Sequence, residues 1–308
     1  MDKPLVSVCM ITYNHEPYIR EAIEGVLKQK CNFPIELVIG EDCSTDNTRI
    51  ICNDYAKEHS FIKLLPSDKN LGMLPNFFRT INNSAGKYIA ICEGDDYWID
   101  PYKLQKQVDF LETNPDYSLV YTKALSYNNR KEKYERNKLG KKLKNNDLLV
   151  YNPIATLTTL FRKKAYEKYL KDVSPISQNW EMGDYPMWLW MHFNSKIYFL
   201  PEVTAVYRVL EGSASRSSNK EKRYQYNLSK LYISNAFASI YCDYKEYSNF
   251  LSNRYSFLYL YCVKNNINRE IEYVKKINEL EIKTIKTNLI ILLFHHLGIS
   301  KLYHLIFK

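Results

Sequence analysis

Three carboxylates fall within four residues at Glu93-Gly94-Asp95-Asp96, directly behind the apolar run Tyr88-Ile89-Ala90-Ile91-Cys92 and ahead of Tyr97-Trp98. Carboxylates crowded at the end of a strand repel one another unless a cation sits among them. Hard oxygen ligands favour Mg²⁺ or Mn²⁺, ions that bridge protein carboxylates to substrate phosphates. The competing account is a solvated acidic turn. Two further polar clusters, Thr12-Tyr13-Asn14 and Glu41-Asp42-Cys43-Ser44-Thr45-Asp46, also close apolar runs. Another acidic position, Asp184, stands in Trp180-Glu181-Met182-Gly183-Asp184-Tyr185-Pro186, where Asp can cap a helix that Pro186 helps to start.

The elements that position these clusters are legible from periodicity. Leu5-Val6-Ser7-Val8-Cys9-Met10-Ile11 is a near-continuous apolar run, as expected for a strand buried on both faces of a parallel sheet. Ile19, Ala22, Ile23, Val26 and Leu27 then recur at helical spacing. A second strand is expected over 35–40. The helix after it carries Ile50, Ile51, Asp54 and Tyr55, with Ser44 or Asp46 able to cap its start. A third strand near 62–65 precedes Asp68-Lys69-Asn70-Leu71-Gly72-Met73 and another helix, and the strand ending at Cys92 follows. This alternation implies an α/β fold with a parallel sheet and right-handed crossovers. Ligands in such sheets bind beyond the carboxyl ends of the strands, where the polar clusters of the first 122 residues fall.

The series Val6-Ser7-Val8-Cys9-Met10-Ile11-Thr12-Tyr13-Asn14, Tyr18-Ile19 with Ala22-Ile23, Glu41-Asp42-Cys43-Ser44-Thr45-Asp46, Asn70-Leu71-Gly72 and Glu93-Gly94-Asp95-Asp96 resembles a family 2 glycosyltransferase with the GT-A fold. The resemblance is strong over 4–122, patchy to 216 and absent beyond. It extends to the type found in bacterial capsule and lipopolysaccharide gene clusters. It implies a catalytic domain over 1–216, with a nucleotide-binding half (1–122) and an acceptor half (123–216), followed by a helical region over 217–308.

The resemblance also implies roles. A UDP-sugar donor carries a diphosphate leaving group whose developing charge a divalent cation neutralises, while a carboxylate takes the acceptor's proton. Asp95 is then the principal metal-linked carboxylate, with Asp96 or Glu93 in support. The family often has Asp where Glu93 stands, so Glu93 could instead hold a ribose hydroxyl or a water. Asp42 is expected at the base, with a helix cap as its alternative. Thr12 and Tyr13 should line the nucleotide pocket, Glu16 should touch ribose or a base edge, and Asn70 and Gly72 should form the turn beneath it. Gly72 could equally be a turn residue needing positive φ. Asp184 is the implied general base and Glu181 its substitute. Trp180 and Trp188 could stack on sugars or pack in the core. Arg208 or Arg216, flanking Gly212-Ser213-Ala214-Ser215, could pair with the diphosphate. The implied reaction is inverting, metal-dependent transfer to a saccharide or lipid-linked saccharide acceptor. A sugar-1-phosphate nucleotidyltransferase would need a glycine-rich basic loop after the first strand, and Thr12-Tyr13-Asn14-His15-Glu16 has neither glycine nor lysine. A noncatalytic sugar-nucleotide-binding protein would not need both a metal carboxylate and a base.

Composition sets the limits. The 308 residues are 45% hydrophobic and 25% charged, which fits globular rather than disordered chain. Seven cysteines form no C-x-x-C pair and read as reduced, mostly buried thiols of a cytoplasmic protein rather than a zinc site. Met1-Asp2-Lys3-Pro4 does not start a signal peptide. The net charge of +9 is concentrated between Lys123 and Asn146, where nine Lys or Arg stand against two Glu. That segment reads as a solvated loop, or as a surface for anionic headgroups or a phosphorylated acceptor. Nucleic acid is not expected as a partner, because no base-reading module is present. Beyond Glu221, helices are expected near Leu228–Ala238, over 247–264 and over 268–282. The first block of the apolar stretch over 288–307, residues 288–299, is too short to span a bilayer. The stretch reads as a buried terminal helix, or as an in-plane helix with Lys301 and Lys308 at its polar edge that would hold the protein peripherally on the membrane's inner face.

Overall fold

The N-terminal apolar run forms β1 (Val6–Thr12), the central strand of the half-sheet that carries the polar clusters. The computed structural model describes residues 3–135, 139–144, 147–210 and 219–280. After β1 come α1 (Ile19–Leu27), β2 (Ile35–Glu41), α2 (Thr48–Glu58), β3 (Ile62–Leu64), α3 (Met73–Asn82) and β4 (Tyr88–Ile91). β5 (Tyr97–Trp98), α4 (Lys103–Thr113), β6 (Tyr117–Asn128), β7 (Lys133–Tyr134) and α5 (Asp147–Val150) follow. Then come a 3₁₀ turn (Thr156–Thr158), β8 (Leu160–Arg162), α6 (Lys163–Val173), a second 3₁₀ turn (Pro175–Ser177), α7 (Asp184–Asn194) and β9 (Lys196–Val209).

The strands form one sheet in the order β3-β2-β1-β4-β8-β6-β9-β5, with β7 beside β6. β1 pairs parallel with β2 and β4, and β2 with β3, as the strand–helix alternation predicts. Beyond β4 the sheet is mixed. β8 runs antiparallel to both neighbours, and β6 pairs parallel with β9 through a register broken by irregularities.

α1 shows why the first half folds as it does. Ile19, Ala22, Ile23 and Val26 are fully buried on one face. Each large aliphatic contributes roughly 1.5–3 kcal/mol by leaving water. β1 presents Val6, Val8 and Met10 to the same core and Cys9 to the opposite face. Burial raises the thiol pKa of Cys9, Cys52 and Cys92, and none of the seven cysteines is in a disulfide.

The chain divides into two compact units, 1–148 with 152–210, and 149–151 with 211–308. The second holds α8 (Lys220–Tyr241), α9 (Tyr244–Asn265) and α10 (Glu270–Asn278). Asn219 caps α8 and Asp243 caps α9 through their side chains, and Asn266 ends α9 in the left-handed region at φ 56°. Arg254 ties α9 to Leu149 by a 2.6 Å bond to its carbonyl. Among the described residues no helix is long and apolar enough to cross a membrane. The apolar stretch over 288–307, the loop over 212–215 and Arg216 lie outside the described residues.

Candidate active site

The loops after β1 and β2 are laced together at the carboxyl edge of the sheet. Asn14, His15 and Glu16 donate their backbone N–H groups to Ser44 Oγ, Thr48 Oγ1 and Asp46 Oδ2 at 3.0, 2.8 and 3.1 Å. In return Asn14 Oδ1 accepts from Thr45 N, and Glu16 accepts from both nitrogens of Asn47. Asn14 and Cys43 hold left-handed backbone, φ 54° and 62°. The Glu16 carboxylate thus latches one loop to the start of α2. Asp46, not Ser44, accepts from the first helical N–H of α2, at 3.0 Å.

Asp42 is buried at the end of β2. Its two carboxylate oxygens accept the N–H groups of Leu71 and Gly72, both at 2.9 Å, and Asn70 Oδ1 shares the Gly72 N–H at 3.0 Å. Asp42 therefore caps no helix but holds the Asn70–Gly72 turn, in which Gly72 takes φ 87°. Thr12 is buried at the end of β1, while Tyr13 stands on the rim, 42% exposed.

The acidic turn closes against the end of β1. Gly94 N–H donates to Ile11 O at 2.9 Å. A Cβ on Gly94 would lie 2.6 Å from Thr12 Oγ1 and 3.1 Å from His15 Nδ1, so only glycine allows this approach. Thr12 Oγ1, His15 Nδ1 and Glu93 Oε2 are all buried without a hydrogen-bond partner. Burial raises the Glu93 pKa to about 8, helped by the charges of Asp95 and Asp184. Burial likewise raises that of Asp96, with Asp95 and Glu93 adding to the shift. His15 is pushed down by burial, opposed by Asp95 and Asp46.

Arg208, on β9, organises the same turn from the other side. Its backbone N–H donates to Asp96 Oδ1 at 2.7 Å and its Nη1 to Asp95 O at 2.8 Å, while Nη2 pairs with Glu21. The guanidinium lies between the rings of Tyr97 and Tyr18, 4.3 and 5.2 Å from their centroids. The residue expected to meet a diphosphate is thus committed to holding the acidic turn.

Asp184 is the first residue of α7, whose N-cap Gly183 has no side chain to bond; the helix does not use the carboxylate as a cap. Asp184 Oδ2 accepts from Thr156 Oγ1 at 2.6 Å. Its charge adds to the upward shift of Glu93, so the two carboxylates lie within electrostatic reach of one another. Glu181 is exposed. Trp188 is fully buried against Phe161, 5.6 Å between centroids, and belongs to the core. His15 directly follows the Thr12–Asn14 cluster, whereas Thr156 has no motif around it and only the tertiary fold brings it to Asp184.

A family model, Glycosyl transferase family 2, matches residues 7–170. The chain belongs to that family. Within the family, a Mycobacterium tuberculosis protein of uncharacterised function is 34% identical over 208 residues, covering 66% of this chain and 58% of its own length. This chain thus spans little more than half of that relative. The UDP-Glc:alpha-D-GlcNAc-diphosphoundecaprenol beta-1,3-glucosyltransferase of Escherichia coli is 29% identical, over 78% of this chain and 91% of that protein. Among solved structures, S. aureus TarS 1-349 in complex with UDP-GlcNAc superposes with a TM-score of 0.58 at 19% identity, covering 89% of this chain and 90% of that one. A mannosyltransferase from Pyrobaculum calidifontis in complex with GDP-Man and Mn2+ gives 0.57 at 16% identity, covering 98% and 82%. At these identities the likeness establishes the fold.

The residues present fit a divalent cation. Glu93 Oε2 is a buried carboxylate oxygen without a donor, beside Asp95, in a cluster where burial and then mutual repulsion raise the pKa of Glu93 and Asp96. Among the described residues no three such side chains already converge as a ligand set. Mg²⁺ bound together with substrate phosphates is commonly held by one or two carboxylates, with phosphate and water completing its shell. Asp95 and Glu93 would hold it, and Asp96, engaged by Arg208, would support the turn.

Proposed function

We propose that this family 2 chain is an inverting, divalent-cation-dependent glycosyltransferase that moves a sugar from a UDP-sugar to a saccharide or lipid-linked saccharide acceptor, in surface polysaccharide synthesis. The observation that carries the reading is the acidic turn itself, closed against the end of β1 with Glu93 Oε2 buried and without a donor. Asp184, whose charge reaches Glu93, supplies a candidate base within electrostatic reach of that candidate cation site.

Thr12, Tyr13, Asp42, Asn70 and Gly72 form the nucleotide wall, with Glu16 bracing it from the α2 side. Asp42 keeps lone pairs free after accepting from Leu71 and Gly72, and these suit the N–H of a uracil. A bound cation would neutralise charge developing on the diphosphate. Asp184 accepts the acceptor hydroxyl's proton as the acceptor oxygen bonds to the anomeric carbon. The bond from that carbon to the β-phosphate oxygen breaks, and UDP leaves. Direct displacement with inversion is the route that the likeness to family 2 enzymes implies. A lipid-linked acceptor would bring the enzyme to a membrane surface, and the apolar stretch over 288–307 is the segment to test there, by pelleting the full chain with anionic vesicles.

The test is UDP release from a panel of UDP-sugars with Mn²⁺ and with chelator, beside GDP-mannose, using oligosaccharide and lipid-linked acceptors. Release that needs both a UDP-sugar and the cation supports the reading. Release without cation, or from no member of the panel, overturns it.

A further inference from the structure

Thr156 has no part in the chemistry described so far. Its hydroxyl donates to Asp184 Oδ2 at 2.6 Å, and α7 makes no use of that carboxylate as a cap. One oxygen of the candidate base is therefore occupied by a neutral donor, and the other is left to meet a substrate hydroxyl.

The turn that carries Thr156 is pinned from the interior. Trp98 Nε1 donates to Leu157 O at 2.8 Å, and Gln107 Nε2 donates to Thr158 O at 2.9 Å. Thr158 and Thr159 fold their hydroxyls back onto Ala155 O and Thr156 O at 2.6 and 2.7 Å. Gln107 is itself fixed by Lys103 Nζ, 2.8 Å from its Oε1, and that ammonium lies 4.2 Å from the centroid of the Trp98 ring. Trp98 sits two residues beyond Asp96 in the chain. A hydrogen-bonded chain thus runs from the strand behind the acidic turn, through Trp98 and the 3₁₀ turn, to Asp184.

We propose that Thr156 is the positioning residue of the base: it holds Asp184 Oδ2 and leaves Oδ1 aimed at the acceptor hydroxyl, while Trp98 sets the base's distance from the acidic turn. The inference rests on the reading of Asp184 as base. In the reaction the acceptor's proton passes to Asp184, and Thr156 keeps its own proton throughout. A hydroxyl serving only the local fold would change stability and leave the catalytic constant alone.

The test compares full-length Thr156→Val, Thr156→Ser, Asp184→Asn and the Thr156→Val/Asp184→Asn double variant by UDP release, with Mn²⁺ and the UDP-sugar found active in the panel. Thr156→Val should lower kcat by about 10–100-fold, the scale for a misplaced catalytic group, with donor KM within about twofold. Thr156→Ser should recover to within about threefold of wild type. In the Asp184→Asn background, Thr156→Val should cost nothing further, because there is no longer a base to position. Wild-type kcat in Thr156→Val, with Asp184→Asn inactive, overturns the role of Thr156 and leaves the base assignment standing. Wild-type turnover in Asp184→Asn removes the base assignment, and this inference with it. If Thr156→Val is lost to misfolding, the serine variant decides, and failure of a folded Thr156→Ser to restore kcat overturns the proposal.

Discussion

The backbone N–H of Arg208 reaches Asp96 Oδ1 at 2.7 Å across 112 residues of sequence. With the guanidinium on Asp95 O and Glu21, that bond makes β9 the clamp of the acidic turn. Antiparallel pairing of Tyr97 with Val206 and Trp98 with Ala205 brings the two segments side by side. The clamp leaves the Asp95 carboxylate outside its own hydrogen bonds, as a cation ligand requires.

Arg208→Gln should therefore act through the turn. It removes the Glu21 pair and the flat cation between Tyr18 and Tyr97 but keeps the backbone bond to Asp96. Glu21 is about half exposed, so its stranded charge is screened. A stability loss of about 1–3 kcal/mol is expected in urea titration, with weaker Mn²⁺-dependent UDP binding by calorimetry. Unchanged UDP affinity at intact stability would remove the clamp from the account.

Asp42→Ala strands the Leu71 N–H, leaves the Gly72 N–H to Asn70 Oδ1 alone, and removes the proposed nucleobase contact. Nucleotide affinity should fall by roughly 1–3 kcal/mol, and discrimination between UDP and other diphosphates should narrow. Calorimetry with UDP, GDP and ADP measures both. A variant with lower thermal stability and wild-type UDP affinity would confine Asp42 to the turn.

Gly94→Ala probes the close approach of the acidic turn to β1. The added methyl would sit 2.6 Å from Thr12 Oγ1 and 2.7 Å from Thr12 Cβ, too near to be absorbed without moving one segment. Overpacking of this kind costs about 1–3 kcal/mol. The displacement should also weaken UDP binding in the presence of Mn²⁺ at least about tenfold. Normal affinity and stability together would show that the approach is not needed.

Much of the first half was legible because its cause is local. β1 is an apolar run since both its faces are covered, and the helical spacing of Ile19, Ala22, Ile23 and Val26 lies on the buried face of α1. The polar clusters follow strand ends, and strand ends in a parallel half-sheet share one edge. The rest depends on long-range pairing. β6 and β9 join through an irregular register that no periodicity encodes, and β8 enters antiparallel between β4 and β6. A threonine such as Thr156 looks like any loop threonine until α7 delivers Asp184 to it. Arg208 looked like a phosphate ligand because its partner Glu21 lies 187 residues away. α9 runs Tyr244–Asn265, beyond the 247–264 that apolar periodicity marks, because the Asp243 side chain caps its start.

Lys103 supplies a test by pH. It is fully buried between Gln107 and the Trp98 ring. Burial holds its pKa down at about 7 against an ordinary 10.5, with Cys92 and Asp100 opposing the shift. Between those two values the unfolded chain binds the proton and the folded chain does not, so stability rises with pH across that window. Below about pH 7 both states carry the proton and the cost of burying the charge is complete. Lys103→Met keeps the apolar length and removes the titration. It also leaves Gln107 Oε1 without its donor, a penalty of about 1 kcal/mol that does not vary with pH. The slope, not the absolute stability, is therefore the diagnostic. Urea unfolding at about pH 7 and about pH 9.5 should show wild type gaining about 1–3 kcal/mol more than the methionine variant. Equal slopes in the two proteins would mean that the buried ammonium is not what titrates.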